Sequence, residues 1–299
     1  MAVFFLFVDG VGLGDDAPEN PFCRSSYPGF NAMGGGQPFV RHAEAITSQN
    51  HLFKGIDATL GVEGLPQSGT GQAALFTGVN TAREVGRHFG PFPHSKIKPF
   101  LKHESLFNKA MGMGRRCTFM NAYPDIFFER SKKRNRWSCT TLMTKSAGIR
   151  LYTEEDLKKE RAITAEITQQ AWRDNLKIDV PAITPAKAGQ RMLDAGRDHD
   201  LILYEYYLTD KAGHAQNHSQ ADEVISRFDQ FLQYLVKNRG LGDTLVLSSD
   251  HGNVEDLSTK THTLNDVPLF IKGPGATAFQ KVDSIQGVTP AILEILQEE

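Results

Sequence analysis

The sequence predicts an α/β fold: a central sheet flanked by helices, with a small inserted cap region. Two observations carry this. Short apolar runs (VFFLFV, LILYEYYL, TLVLSS, VPLFIK) stop abruptly at polar or glycine-rich residues, and helical stretches lie between them. Between about residues 90 and 190 this rhythm gives way to a more polar, basic sequence, which marks the insert. The expected organisation is therefore a discontinuous core, 1–89 and 191–299, with an inserted or cap region at 90–190. A chain of 299 residues can bury a core of that size.

The elements follow in order. AVFFLFVD reads as a buried strand, and the glycines after it permit a tight turn. DDAPENPFCRSSYPGFNAMGGGQPF, rich in glycine and proline, reads as a long surface excursion. GQAALFTGVN has helical spacing and starts just after Ser68; ESLFNKAMGMG predicts another helix, and RRCTFMNAY a strand. The segment TEEDLKKERAITAEITQQAWRD reads as mainly helical, and Phe127, Trp137 and Tyr152 as cap residues. LILYEYYL is a strand, SQADEVISRFDQFLQYLVKN a long helix, and TLVLSSD and VPLFIKG two further strands. VTPAILEILQEE closes the chain as a helix with proline near its start.

A hydrophobic share of 40% with 23% charged residues describes an ordinary globular chain. The net charge of -2 gives no reason to expect nucleic acid or an anionic membrane as partner, although a near-neutral total can conceal a basic pocket for a small phosphorylated substrate. The sequence points to no particular protein partner. Cys23, Cys117 and Cys139 form no close pair and suit a reducing compartment. The N-terminal apolar run is too short to span a bilayer and lacks the basic start of a signal peptide, so a cytoplasmic location is expected.

The chemistry sits where apolar runs end. Asp9 ends the first run, Asp210 and His214 follow the LILYEYYL run, Asp250 and His251 follow LVLSS, and His262 precedes VPLFI. Carboxylates with imidazoles suit zinc or manganese better than calcium, which prefers oxygen alone. A single buried aspartate can simply satisfy backbone donors; so many such residues ending apolar segments point instead to a pair of divalent ions. Ser68 and Thr70 in PQSGTGQ are both hydroxyl nucleophile candidates, and a serine ahead of a helix is also an ordinary N-cap.

FFLFVDGVGLG, GLPQSGTGQ, TDKAGH, SSDHGN and THTLNDVPLFI, in that order, resemble the alkaline phosphatase-like metalloenzyme superfamily, with the closest likeness to its cofactor-independent phosphoglycerate mutase and phosphopentomutase branch. The resemblance covers the beginning and the C-terminal third. It implies an alkaline phosphatase-like sheet, one ion bound by Asp210, His214 and His262, and a second bound by Asp9, Asp250 and His251 with Ser68 beside it or bridging the pair. It also implies Ser68 as the nucleophile, with Thr70 in reserve, and a metal-dependent hydrolase or phosphoryl-transfer enzyme working through a phosphoserine. A phosphomutase, a sulfate-ester or phosphodiester hydrolase, and a catalytically inactive metal-binding protein are the alternatives. The mutase pattern commonly has histidine where this chain has Gln72, an amide that can position phosphate but cannot exchange protons near neutrality. Arg87 and His88, just beyond the Ser68 helix, are the expected substrate contacts, and the SKKRNR run reads as an exposed charged face.

Overall fold

The computed structural model describes residues 1–297. Seven strands form one mixed sheet: β1 (Val3–Val8), β2 (Ile46–Thr47), β3 (His51–Ile56), β4 (Cys117–Phe119), β5 (Leu201–Tyr206), β6 (Thr244–Ser248) and β7 (Val267–Lys272), in the order β2-β3-β7-β6-β1-β5-β4. β1 pairs in parallel with β5 and β6, and β4 in parallel with β5. β7 runs antiparallel to β6, so it begins at the end of the sheet where β1, β5 and β6 finish. That reversal brings His262, which precedes β7, to the same edge as the residues that follow the other three strands.

All six residues of β1 are buried because both faces of the sheet are covered. Strand periodicity sends Val3, Phe5 and Phe7 into one core and Phe4, Leu6 and Val8 into the other. Burying each such side chain stabilises the fold by roughly 1.5–3 kcal/mol relative to leaving it exposed. The first core packs the Ser68–Thr77 and Val288–Gln297 helices against the sheet; the second takes the long His218–Asn238 helix.

Three expectations need correction. Residues 90–190 are not one separate insert, because β4 lies within them and is an edge strand of the main sheet, while Leu101, Leu106 and Phe107 belong to the same core as Phe5 and Phe7. The part that builds its own small core runs later, with Ala122, Leu157, Ala162, Trp172 and Val180 packed together. The early glycine- and proline-rich excursion is not a surface loop, since Phe22, Tyr27, Phe30 and Phe39 bury their rings against the second core, Phe22 and Phe39 with centroids 4.7 Å apart. The segment read as mainly helical after residue 153 holds only the short helices Glu154–Lys158 and Gln170–Leu176. HLFKGI, unmarked by alternation, forms β3.

Candidate metal centre

Each candidate ligand sits at the edge defined above. Asp9 directly follows β1, and Asp250 and His251 come just after β6. Asp210 and His214 lie four apart on the Leu208–Ala215 helix after β5, and so on one helical face. Two glycines let these segments crowd together. Gly10 adopts φ +69, and a Cβ there would lie 2.8 Å from the Asp210 Cβ; a Cβ on Gly71 would lie 2.6 Å from the Asp250 carbonyl oxygen.

The ligand atoms converge as two overlapping groups. Asp9, Asp250 and His251 offer atoms within 4.8 Å of one another, as do Asp210, His251 and His262. His214 joins the second group, its Nε2 3.4 Å from Asp210 Oδ1 and 3.3 Å from His262 Nε2. All three imidazoles are oriented alike. Nδ1 faces a backbone carbonyl in each: Gly252 at 3.4 Å for His251, Pro66 at 2.6 Å for His262, and Lys260 at 2.8 Å for His214. Because a carbonyl only accepts, Nδ1 must carry the proton, and Nε2 is the atom turned to the cluster. Nε2 of His251 then accepts from the Ser68 hydroxyl at 3.0 Å.

The electrostatics call for positive charge. Burial, then the neighbouring Asp250 and Asp210 carboxylates, push the Asp9 pKa well up. Burial and Asp210 push Asp250 up to about 7. Asp210 is held low: burial opposes its charge, but His262, His251 and an amide hydrogen bond from Asn253 at 2.7 Å outweigh it. Burial, reinforced by His262 stacked with centroids 3.8 Å apart, drives His251 down to about 3. For His262 itself burial lowers basicity, yet Asp210 and the Pro66 carbonyl raise it on balance. Oδ1 of Asp9 and Oδ2 of Asp250 are buried and accept no hydrogen bond among the described residues. Buried carboxylate oxygens without donors beside inward-turned imidazole nitrogens fit divalent cations.

Ser68 is the first residue of its helix, where the Thr70 N–H is already bonded to the Phe89 carbonyl at 2.9 Å. It opens, with Asp9, Gln72 and Asp210, onto a cleft of about 1050 Å³. Thr70 does not share this position: its hydroxyl lies against the Gln67 and Phe89 carbonyls and accepts the Phe89 N–H at 3.1 Å, with the side chain fully buried, so it is a structural residue rather than an alternative nucleophile. Gln72 lines the cleft with Ser68, as a substrate contact would, and its amide nitrogen also donates to Asp9 Oδ2 at 3.0 Å, which orients that carboxylate. Arg87 and His88, the other expected substrate contacts, are not among the residues that line this cleft. The helix Thr81–Val85 ends at Gly86 with φ +87, and both residues then line a separate depression with Gly64 and Leu65. His88 Nε2 lies 3.1 Å from the Val62 carbonyl.

Other residues of the site lay outside the sequence reading. Glu255 accepts from the Gly12 and Asn253 N–H groups at 2.8 and 2.7 Å, tying the β1 and β6 loops together. Glu205 lies in the apolar run of β5 and faces the cleft; burial raises it to about 7 against an opposing hydrogen bond from Thr140 at 2.9 Å. An acid inside LILYEYYL was a visible signal, since buried carboxylates are rare without a partner. Arg130, at the edge of the basic run, also borders the cleft.

A parallel-centred sheet carrying clustered acids and imidazoles beyond its strand ends defines an α/β metalloenzyme. The model of the Metalloenzyme superfamily matches residues 1–299, and the chain belongs to that family. Among curated relatives, the 2,3-bisphosphoglycerate-independent phosphoglycerate mutase of Desulforudis audaxviator (strain MP104C) is 29% identical over 132 residues, 40% of this chain and 26% of the relative. That of Pyrococcus furiosus (strain ATCC 43587 / DSM 3638 / JCM 8422 / Vc1) is 31% identical over 94 residues, 31% of this chain and 22% of the relative. The matched stretch thus spans about a quarter of these relatives' length. The fold is similar to the alkaline phosphatase of the Antarctic bacterium TAB5, with a TM-score of 0.61 at 13% identity, covering 99% of this chain and 97% of that one. It is also similar to the phosphoglycerate mutase of Leishmania mexicana, with a TM-score of 0.51 at 11% identity and coverage of 99% and 95%. These matches establish the alkaline phosphatase-like fold.

Proposed function

We propose that the protein is a metal-dependent phosphoryl-transfer enzyme, working as a hydrolase on a small phosphate ester. The observation that carries this is the Ser68 hydroxyl 3.0 Å from His251 Nε2, beside buried Asp9 and Asp250 oxygens that have no donor among the described residues. Asp210, His214 and His262 would hold one divalent ion, and Asp9, Asp250 and His251 with Ser68 the other; the mixed oxygen and nitrogen donors suit manganese or zinc. Bound there, the ions would supply Lewis-acid stabilisation of phosphate oxygens and favour the ionised Ser68 hydroxyl.

The chain's own residues supply the rest. Ser68 Oγ gives up its proton and attacks phosphorus, the Oγ–P bond forms as the ester P–O bond breaks, and the leaving oxygen takes up one proton to depart as the alcohol, so that no net proton is gained or lost. Water then cleaves the phosphoserine, releasing phosphate and restoring the hydroxyl. Gln72 holds Asp9 in orientation throughout, and Asn253 does the same for Asp210. The start of the Ser68–Thr77 helix favours the negative charge of the transferring group. A cytoplasmic location belongs to the same reading, with three free cysteines in support.

A second reading, phosphomutase, is favoured by the relatives above, which are phosphoglycerate mutases. In it the phosphoserine returns its phosphoryl group to another hydroxyl of the same substrate. Metal-supplemented assays on phosphate and sulfate esters, followed by intact-protein mass measurement, test both. Phosphate release with a phosphorylated Ser68 supports the hydrolase, and label moving between substrate positions supports the mutase. Sulfate release alone, without phosphoserine, overturns both.

A further inference from the structure

The cleft above Ser68 is larger and more aromatic than a three- or five-carbon phosphate requires. Its volume of about 1050 Å³ is at the upper end of sites that enclose drug-sized ligands. Eight large apolar side chains are exposed among the described residues, and three of them, Phe92 (39%), Ile126 (41%) and Leu176 (44%), border this one cleft. Exposed apolar surface gathered at a catalytic opening marks a binding wall. Behind it the rings are ordered. Tyr123 and Phe127 stack with centroids 4.1 Å apart and planes at 27°, Trp137 meets Phe127 edge-on at 6.0 Å, and Trp172 lines the same space. The helix Asp125–Arg134 brings Ile126, Phe127 and Arg130 to the cleft together, because residues three and four apart share a face. Arg130, Gln170 and Asn175 add hydrogen-bonding groups along this wall, and the carboxylates of Glu166, Asp174 and Glu223 border the same cleft.

We propose that the alcohol portion of the substrate carries a planar ring, seated on the Tyr123–Phe127 wall while its phosphate meets Ser68; this rests on the phosphate-ester reading above. Flat aromatic surfaces bind flat rings through stacking, whereas a small polyol would leave the wall exposed to water. The polar groups suit a heteroaromatic ring with acceptors at its rim rather than an alkyl chain.

The test compares substrates that share one leaving group. Ribose 5-phosphate, adenosine 5′-monophosphate and uridine 5′-monophosphate all lose phosphate from the same primary alcohol, so differences in kcat/KM report the ring. With the manganese-loaded full chain, at least one nucleotide should exceed ribose 5-phosphate by on the order of tenfold. In Phe127→Leu, which keeps apolar bulk and removes the ring face, that ratio should fall toward one. Equal kcat/KM for all three, or a Phe127→Leu change that is the same for every substrate, overturns the ring site and makes the wall a surface on which the cleft closes. Calorimetric titration of the two nucleotides and ribose 5-phosphate separates this from the chemistry. If none phosphorylates Ser68 yet a nucleotide binds about tenfold tighter than ribose 5-phosphate and Phe127→Leu removes the difference, the ring site stands and the transfer reading falls. If all phosphorylate Ser68 equally and bind equally, the reverse holds.

Discussion

Asp250→Asn should change sign with metal. In the wild-type chain without metal, Asp250 is fully buried and its pKa stands at about 7, raised by burial and Asp210. An acid whose folded pKa exceeds its unfolded value weakens the fold as pH rises: the penalty is absent below about pH 4, grows through the interval, and is complete above about pH 7. From an ordinary carboxylate value the rise corresponds to at most roughly 4 kcal/mol, and less if Asp9, which shares the same repulsion, keeps a proton. Asparagine preserves the shape and the oxygen that faces the Gly10 N–H at 3.4 Å while removing the charge. With a chelator at pH 8 the variant should therefore be more stable than wild type by roughly 2–4 kcal/mol, and the difference should vanish near pH 4. With metal the order should invert. A ligand at a thousand times its Kd stabilises the wild type by about 4.1 kcal/mol, more than the variant's lead, and the variant largely forgoes that gain. Its turnover should fall by more than about 100-fold, beyond the loss usual for an outer partner of a metal ligand. Urea unfolding at both pH values, with chelator and with manganese or zinc, gives all four stabilities. Equal destabilisation under every condition would refute the electrostatic reasoning. A folded variant with two ions bound and undiminished turnover would refute the ligand assignment.

Ser68→Ala should abolish the phosphoryl mass increment on the intact protein, while Thr70→Val retains it; a label that persists in Ser68→Ala would move the nucleophile elsewhere. Thr70→Val should instead lose about 1–3 kcal/mol in thermal or urea unfolding, because the Phe89 N–H loses its buried acceptor. Glu205→Gln should stabilise the metal-free protein by up to roughly 3 kcal/mol above pH 7, with the difference disappearing below about pH 4.5. A gain independent of pH would show that Glu205 is not held near neutrality. Arg87→Ala and His88→Ala should leave kcat/KM within about threefold, since both line a separate depression and neither lines the cleft; a hundredfold loss in either would return them to the substrate.

Period and punctuation in the sequence determined the four central strands, because a strand covered on both faces must be apolar throughout and must stop where its backbone leaves the sheet. VFFLFV, LILYEY, TLVLS and VPLFIK therefore announced themselves, and the acids and imidazoles at their ends announced the chemistry. Sequence also set the Ser68 helix, through its small residues and helical spacing. What it did not determine were relations between segments remote in the chain. Whether Thr70 or Ser68 faced the cluster of acids and imidazoles depended on Phe89, whose backbone claims the Thr70 hydroxyl. Arg87 and His88 looked available by proximity to the helix, yet the left-handed Gly86 turns the chain away. His251 falls within reach of both ligand groups only because antiparallel β7 brings His262 against it. Local periodicity records which face of an element is dry. The direction of a side chain at a turn, and the partner it meets there, are decided by packing from elsewhere in the fold.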